Sequence, residues 1–177
     1  MVCYKDSHAT QKLDPVASEW TGVWRDNREI NPLGAMPENS LTGQVYVSDT
    51  WANYPIIVPP EYSRHRFWRH TAAADQEHHP RSKDDSGVNE RELKDRDARQ
   101  DAQPGVVLLK GLIGHEFDED VDNGARPPGL MRLSKTTIDN VVYLQDHSKV
   151  FDTGSATHTL TLYRAQSGAL VFGAGTC

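Results

Sequence analysis

Cysteines and long hydrophobic runs are both scarce in this sequence, and their scarcity narrows the protein classes to which it can belong. The two cysteines among 177 residues, Cys3 and Cys177, cannot build a disulfide framework, and their spacing does not match a zinc site. No apolar run approaches the roughly 20 residues that a membrane-spanning helix needs. The first six residues lack the basic and apolar regions of a signal peptide. The sequence therefore predicts a soluble cytoplasmic protein without a membrane partner.

An excess of positive charge is also missing. The chain carries 19 Lys and Arg against 25 Asp and Glu, a formal net charge of −6 at pH 7, so no basic surface is available to neutralise nucleic-acid phosphates. Its hydrophobic fraction is 37% and its mean hydropathy is −0.65, both low for a self-contained fold. We therefore expect no nucleic-acid partner, and either a long segment outside the core or an incomplete core.

One segment, residues 75–103, is almost devoid of apolar side chains and mixes acids with bases throughout. Such a composition cannot bury enough surface to offset the entropy lost on ordering. Pairs four residues apart, such as Glu90 with Lys94, would support only a marginal helix. We predict a disordered insertion at 75–103 within a single domain that spans residues 1–177.

Short apolar runs predict that the rest of the chain is mostly β-strand. The runs lie at 1–5, 54–58, 66–68, 106–113, 130–133 and 141–144. The segment between Trp20 and Gly43 has no helical period and predicts an ordered loop.

The end of the chain carries the clearest pattern. Residues 157–164 alternate β-favouring side chains and predict one strand, followed by a turn at 165–168 and a return strand at 169–172. This predicts a C-terminal β-hairpin. Residues 173–176 resemble a glycine-rich turn from a strand into a helix, and the chain stops where an α/β protein would continue.

The densest polar group, residues 115–124, directly follows a predicted buried strand. Acids at the carboxyl end of such a strand are well placed to line a site in a layered α/β protein. Asp118, Asp120 and Asp122 have the alternate spacing of a calcium loop, but the glycine of the group comes one place late. The twelfth position, Gly129, cannot supply the bidentate carboxylate. Spacing alone therefore favours a charged turn over a calcium site.

Other candidate groups are Lys5 and His8 after the first predicted strand, and His158 in the hairpin. A lone lysine at a strand end is usually solvated, although beside a buried carboxylate it could bind an oxyanion. We expect His158 to be a half-buried strand histidine, and the adjacent His78 and His79 to face water. The sequence has no P-loop, complete dinucleotide fingerprint or Gly-x-Ser-x-Gly elbow.

Six motif-bearing regions follow one another in a specific order and cover nearly all of the chain except 75–103. They are Val2-Cys3-Tyr4-Lys5 with His8, Glu19-Trp20-Thr21-Gly22 with Trp24-Arg25-Asp26, the segment from Pro37 to Gly43, Arg66-Phe67-Trp68-Arg69, the segment from Gly114 to Leu130, and Thr157 to Tyr163 with Ser167 to Thr176. Each region alone is weakly specific. The ordered set resembles the C-terminal region of the N,N-dimethylformamidase large (beta) subunit-like family.

This resemblance implies a glutamine-amidotransferase-like α/β sandwich, hydrolysis of the C–N bond of small formamides, and a mononuclear iron held by two tyrosines and a glutamate. Those ligands belong to segments upstream of the matched region, so the resemblance implies iron in a full-length member and neither a metal ligand nor a cofactor in this chain. It places Lys5 and Glu116 at catalytic positions and Phe151 on the aromatic wall of the substrate pocket. A partly buried Glu116 could take and return a proton, and Lys5 could stabilise a developing oxyanion.

We therefore expect an α/β protein built as a β-rich, partial layered sandwich, incomplete and ending in a β-hairpin. It would be the C-terminal portion of an iron-dependent amide hydrolase, inactive as an isolated chain because the metal ligands lie upstream. The insertion at 75–103 and the stop inside 173–176 depart from the family pattern and indicate a truncated product or a shortened homologue. The expected partners are a small amide substrate in the full-length protein, and a small subunit or a second copy of the chain. The alternative is a truncated, non-catalytic homologue that binds a partner protein through its fold or through the charged residues 75–103.

Overall fold

The computed structural model describes residues 25–27, 34–75, 105–145 and 150–176, with only the backbone of residues 106–109. The strand predicted at 1–5 and nearly all of the predicted insertion lie outside the described residues, as do both cysteines. In the described part, seven strands and three short helical turns follow one another. They are α1 (Asn39–Thr42), β1 (Val45–Val58), α2 (Pro60–Ser63), a 3-10 turn (Arg66–Trp68), β2 (Val106–Glu119), β3 (Met131–Arg132), β4 (Thr136–Leu144), β5 (Phe151–His158), β6 (Thr161–Arg164) and β7 (Leu170–Gly173).

The strands form two antiparallel sheets. Four of them close into a small barrel in the order β1-β2-β5-β4, and the others form a three-stranded sheet in the order β3-β6-β7. The pairing of β1 with β2 is the longest, running from Val45 opposite Glu119 to Val58 opposite Val106. A buried apolar cluster fills the barrel and extends under the helical turns. It contains Val45, Val47, Ile56, Val58, Trp68, Ala73, Ile113, Phe117, Leu133, Ile138, Val141, Ala156 and Leu160.

The predicted β-rich character is confirmed, because 48% of the structure is strand and 10% is helix. The helical layer expected of an α/β protein is not seen among the described residues. Their helical segments span only three or four residues, which is too short to cover a sheet. The antiparallel pairing of every described strand explains this, since antiparallel strands need no helical crossover. The glutamine-amidotransferase-like sandwich stays a prediction.

The strand predicted at 66–68 is wrong, because these residues form a 3-10 turn. Trp68 is buried and its indole Nε1 donates a hydrogen bond to the Leu133 carbonyl oxygen at 2.9 Å. The turn brings this ring into the core, whereas a strand would place neighbouring side chains on opposite faces. The strand predicted at 54–58 is the end of the longer β1, and the loop predicted between Trp20 and Gly43 contains the short helix α1.

The single strand predicted at 157–164 is divided between the two sheets. β5 ends at His158 in the barrel and β6 begins at Thr161 in the three-stranded sheet. Between them, the Leu160 amide donates to Ser134 Oγ and the Leu160 carbonyl oxygen accepts from the Leu133 amide, both at 2.8 Å. The predicted hairpin is confirmed: Gly168 N donates to the Ala165 carbonyl oxygen at 2.8 Å, and β7 pairs antiparallel with β6.

Candidate functional site

The polar motif that begins at His115 lies largely on β2. Residues 115–119 are the end of the strand, and residues 120–124 form the loop that follows. The predicted charged turn is therefore wrong for residues 115–119. Side chains alternate along a strand, which places Glu116 and Asp118 on one face. On the neighbouring strand β1, Asp49 is opposite Glu116 and Tyr46 is opposite Asp118. The strand therefore presents two carboxylates in a row, beside a phenol and a third carboxylate.

Two residues distant in sequence complete this group. Arg25 donates a hydrogen bond from Nη2 to the Tyr46 carbonyl oxygen at 2.6 Å, and its Nη1 lies 3.6 Å from Glu38 Oε1. Arg25 Nε and Glu38 Oε2 are buried and have no hydrogen-bond partner among the described residues. Within the described part of the chain, the group thus retains one buried donor and one buried acceptor without a hydrogen-bond partner. Such atoms are uncommon in folded proteins and call for an explanation.

Asp118 has the most perturbed carboxyl of the group. Its pKa is raised to about 6, chiefly by burial and then by the negative charge of Glu38, with a smaller contribution from Glu116, while the Arg25 guanidinium opposes the shift. Burial also raises the pKa of Tyr46 to about 12, with contributions from the charges of Asp49 and Glu116. Near neutral pH the Tyr46 phenol is therefore protonated, whereas Asp118 is mostly ionised but keeps a protonated fraction. A pKa near the working pH suits a group that must both give and accept a proton.

Glu119, the next residue on β2, has a structural role on the opposite face. Its Oε2 accepts a hydrogen bond from the Tyr143 hydroxyl at 2.9 Å, and its Oε1 accepts one from the Thr157 amide at 2.8 Å. Burial raises the pKa of Tyr143 to about 12, and the Glu119 charge and hydrogen bond add to the shift. Because side chains alternate along β2, the Glu119 carboxylate is hydrogen-bonded within the barrel, whereas Glu116 and Asp118 lie on the opposite face, at the candidate site.

The residues that the family resemblance singled out are not assembled into one site among the described residues. Glu116 is exposed and not partly buried as expected. Phe151 is 45% exposed and begins β5, which pairs with β2 at its other end, where His158 lies opposite Glu119. Lys5 and His8 lie outside the described residues. The catalytic and pocket assignments of Lys5, Glu116 and Phe151 stay predictions.

Asp120 has a role that excludes it from the calcium loop considered above. Its carboxylate is buried and accepts hydrogen bonds from Arg126 Nε at 2.7 Å, Arg126 Nη2 at 2.9 Å and Arg132 Nε at 2.7 Å. Burial alone would raise the pKa of Asp120, but these hydrogen bonds outweigh it and lower the pKa. Two guanidinium groups occupy both oxygens, so Asp120 is not free to bind a cation together with Asp118 and Asp122.

His158 and the glycine-rich segment 173–176 form a structural junction. His158 is fully buried, not half-buried, and its Nε2 lies 2.8 Å from the Ala174 carbonyl oxygen. Burial lowers the pKa of His158 to about 4, although the hydrogen bond to Ala174 opposes the shift. The segment does not turn into a helix: Thr176 forms a bridge with Phe117 and the Asp118 amide donates to the Gly175 carbonyl oxygen at 2.8 Å. The tail therefore runs beside β2, directly behind the acidic group.

We also searched the described residues for a possible metal site. Within the described ranges, no group of three or more His, Cys, Asp or Glu side chains could hold a metal ion. The iron that the family resemblance implies, held by two tyrosines and a glutamate upstream of the matched region, stays a prediction. Of the helices described, none is both long and apolar enough to cross a membrane.

Sequence reasoning missed the contributions of Arg25, Glu38 and Asp118 to one site. Arg25 and Glu38 belong to two separate family-like segments, and the spacing around Asp118 pointed only to a calcium ligand. The signal was the presence of charged residues inside these otherwise aromatic and glycine-rich segments. Their meeting depends on contacts between residues roughly 80 to 90 positions apart in sequence, which local patterns do not report.

Comparison with known proteins is consistent with the ordered motifs. No curated protein and no solved structure matches the chain. One protein family matches it over residues 1–177, and this family is described as N,N-dimethylformamidase beta subunit-like, C-terminal. Because the match covers the whole chain, the chain belongs to the N,N-dimethylformamidase beta subunit-like C-terminal family.

Proposed function

We propose that this domain takes part in hydrolysis of the C–N bond of a small amide of the N,N-dimethylformamide class, with Asp118 and Glu116 as its proton-transfer groups. One observation carries the proposal. A half-buried carboxyl whose pKa is raised to about 6 stands in line with a second carboxylate and beside the unsatisfied atoms of Arg25 and Glu38. Perturbed carboxyl groups of this kind are concentrated at functional sites.

The chemistry needs a proton acceptor and a proton donor. In the proposed reaction Glu116 removes a proton from water, and the water oxygen forms a bond to the amide carbonyl carbon. The neutral carboxyl of Asp118 then donates a proton to the nitrogen as the C–N bond breaks, which releases an amine and a carboxylic acid. Transfer of the proton from Glu116 to Asp118 restores the starting state. Lys5 is proposed to stabilise the oxyanion, as the family resemblance implies.

An iron ion would be held, as the family resemblance implies, by two tyrosines and a glutamate of segments upstream of the matched region. When bound, such an ion would polarise the amide carbonyl and lower the pKa of a bound water. Iron dependence and the upstream ligands therefore enter as part of the proposal. The isolated 177-residue chain is expected to be inactive.

The size of the native product provides the first test. An immunoblot of the cells that make the protein, with an antibody against residues 157–167, is expected to show a band far above 19.8 kDa. The product at that mass is expected to release dimethylamine from N,N-dimethylformamide, whereas the purified 177-residue chain releases none with or without added iron. Turnover by the isolated chain would contradict the proposal that the activity requires the upstream iron ligands.

Substitutions in the larger product test the two carboxyl groups. Asp118→Asn and Glu116→Gln are each expected to lower kcat by about 100-fold or more, because general acid–base catalysis typically contributes that much. Glu61→Gln, at an exposed acid in the first turn of α2, is the matched control and leaves kcat unchanged. Unchanged kcat in both site variants would remove Asp118 and Glu116 from the chemistry.

A second candidate function, a non-catalytic module that binds a partner protein, is favoured by an exposed apolar surface. Phe67 stacks on Phe172 with ring centroids 5.6 Å apart, and both rings are about half exposed. Leu170, on the same strand face as Phe172, is 66% exposed. Apolar residues clustered in this way on a surface often mark interaction sites.

A pull-down from the native cells separates this candidate from the first. If the protein is a binding module, Leu170→Ser combined with Phe172→Ser removes the captured partner, or deletion of residues 75–103 does so. Capture that is unchanged by both alterations, together with an immunoblot band far above 19.8 kDa, would leave the amide hydrolase as the only supported function.

A further inference from the structure

A second candidate binding site lies in an open groove between α2 and the chain that leads from the end of β2 to β3. The groove has a volume of about 450 Å³. One side carries the rings of Tyr62 and His65, whose centroids are 6.2 Å apart. The other side carries Asp122 together with Arg126, Leu130, Met131 and Arg132.

The two arginines of the groove are held in place by one buried carboxylate. The Asp120 side chain is 1% exposed, and its oxygens accept from Arg126 through Nε and Nη2 and from Arg132 through Nε. The hydrogen bond to Asp120 raises the pKa of Arg126 above its ordinary value. Two fixed positive charges around one negative charge leave a local charge of +1. Fixing the guanidinium groups in advance lowers the entropy cost of binding an anion.

Both arginines keep hydrogen-bond donors that the described protein does not use. Arg126 Nη1 has no partner among the described residues, and Arg132 uses only its Nε. The Arg132 side chain is 44% exposed and that of Arg126 is 25% exposed. Guanidinium groups bind planar carboxylates through paired N–H donors. The unused donors therefore suit a carboxylate that enters from solvent.

The remaining groups of the groove restrict the type of anion. Leu130, Met131 and the Tyr62 ring offer apolar surface to the body of a ligand. The exposed carboxylate of Asp122 lines the same groove and repels a dianion such as phosphate more strongly than a monoanion, whose single carboxylate the paired N–H donors can still bind. We propose that this groove binds small organic monocarboxylates, with the carboxylate on Arg126 and Arg132 and the apolar body against Tyr62, Leu130 and Met131. This site is separate from the proposed amide chemistry and does not depend on it.

Titration of the ¹⁵N-labelled 177-residue chain with benzoate, acetate and phosphate provides the test, with backbone amide shifts as the readout. Benzoate is expected to cause saturable shifts at Met131, Arg132 and His65. Acetate is expected to bind about tenfold more weakly, because it lacks the phenyl surface. Phosphate is expected to cause no saturable shift. Absence of saturation by benzoate, or tighter binding of phosphate than benzoate, would overturn the proposal.

Variants assign the binding to the arginine pair. Arg132→Gln removes the more exposed guanidinium but leaves Arg126 with Asp120, and it is expected to weaken benzoate binding about tenfold or more. Arg164→Gln, at an exposed arginine that ends β6, is the matched control and leaves binding unchanged. Asp122→Asn, at an exposed position, is expected to tighten benzoate binding about twofold and to admit phosphate. Equal benzoate binding by wild type and both groove variants would assign the shifts to a non-specific surface.

Discussion

Asp118 and His158 are two buried titratable residues that ionise in overlapping pH ranges with opposite effects on stability. The pKa of His158 is lowered from 6.5 to about 4, so its contribution is complete above pH 6.5 and is lost as the pH falls towards 4. The pKa of Asp118 is raised from 3.8 to about 6, so its contribution is complete below pH 3.8 and is lost as the pH rises towards 6. Each shift corresponds to roughly 3 kcal/mol across its range. In the wild type the two effects largely cancel.

Single substitutions are expected to reveal each effect. Asp118→Asn leaves His158 unopposed, so the free energy of unfolding should fall by up to about 3 kcal/mol as the pH is lowered from 6.5 to 4. His158→Gln should give the reverse profile, with the free energy of unfolding falling as the pH rises from 4 to 6. Urea unfolding at several pH values measures both, and Asp152→Asn at an exposed position is the control. Identical pH profiles for wild type and Asp118→Asn would refute the assignment.

Single residues also show how far sequence reasoning reaches. A sequence motif locates Glu116, and the motif does lie on the face of β2 where a site is proposed. The burial of Asp118 and the position of Glu38 beside it could not be predicted, because they follow from tertiary contacts. His158 was expected to be half-buried; the tail carbonyl of Ala174 covers it, and no local pattern reports that contact.

At the scale of elements, the sequence predicted strands and the C-terminal hairpin well and sheet membership poorly. The period-two pattern of residues 157–164 continues through the break at Thr159 and Leu160, because side chains alternate in both sheets. A period-two pattern predicts which face of a sheet a residue occupies, but it does not predict which strand the residue pairs with. The 3-10 turn at Arg66–Trp68 was missed for a related reason: three residues are too few to distinguish periods of two and three.

The tail segment 173–176 depends on glycine at Gly173 and Gly175, where an added Cβ would overlap the Gln44 side chain. A Cβ on Gly175 would overlap the Gln44 amide nitrogen, and the backbone there has φ of +62°. Gly168 has φ of +90°, and no atom lies within 4 Å of the place that a Cβ would occupy. Gly168→Ala should therefore cost only the left-handed backbone term of about 1 kcal/mol. Gly175→Ala adds overpacking against the buried Gln44, for a total of about 2–4 kcal/mol. Chemical unfolding measures both, and equal losses would show that the tail tolerates a side chain.

For the whole molecule, several contacts among the described residues join the barrel to the three-stranded sheet. The Gln44 amide donates to the Thr159 carbonyl oxygen, and Leu133 pairs with Leu160 where the chain passes between sheets. The tail that follows β7 bonds back to Asp118 on β2. These contacts link residues far apart in sequence, which explains why the division into two sheets could not be predicted. They also imply that neither sheet opens independently of the other.

Hydrogen exchange tests this coupling directly. If the sheets unfold as one cooperative unit, amides in the β6–β7 ladder should exchange with the same free energy of opening as amides in the β4–β5 ladder. Gly175→Ala should then lower both values by the same amount, although the substitution touches only the tail. Gly168→Ala, in the turn between β6 and β7, is the control. It should lower the free energy of opening by a smaller amount, which is again the same in both ladders. A lower opening free energy confined to β6 and β7 would mean that the small sheet is a separate unit, docked on the barrel and able to detach from it.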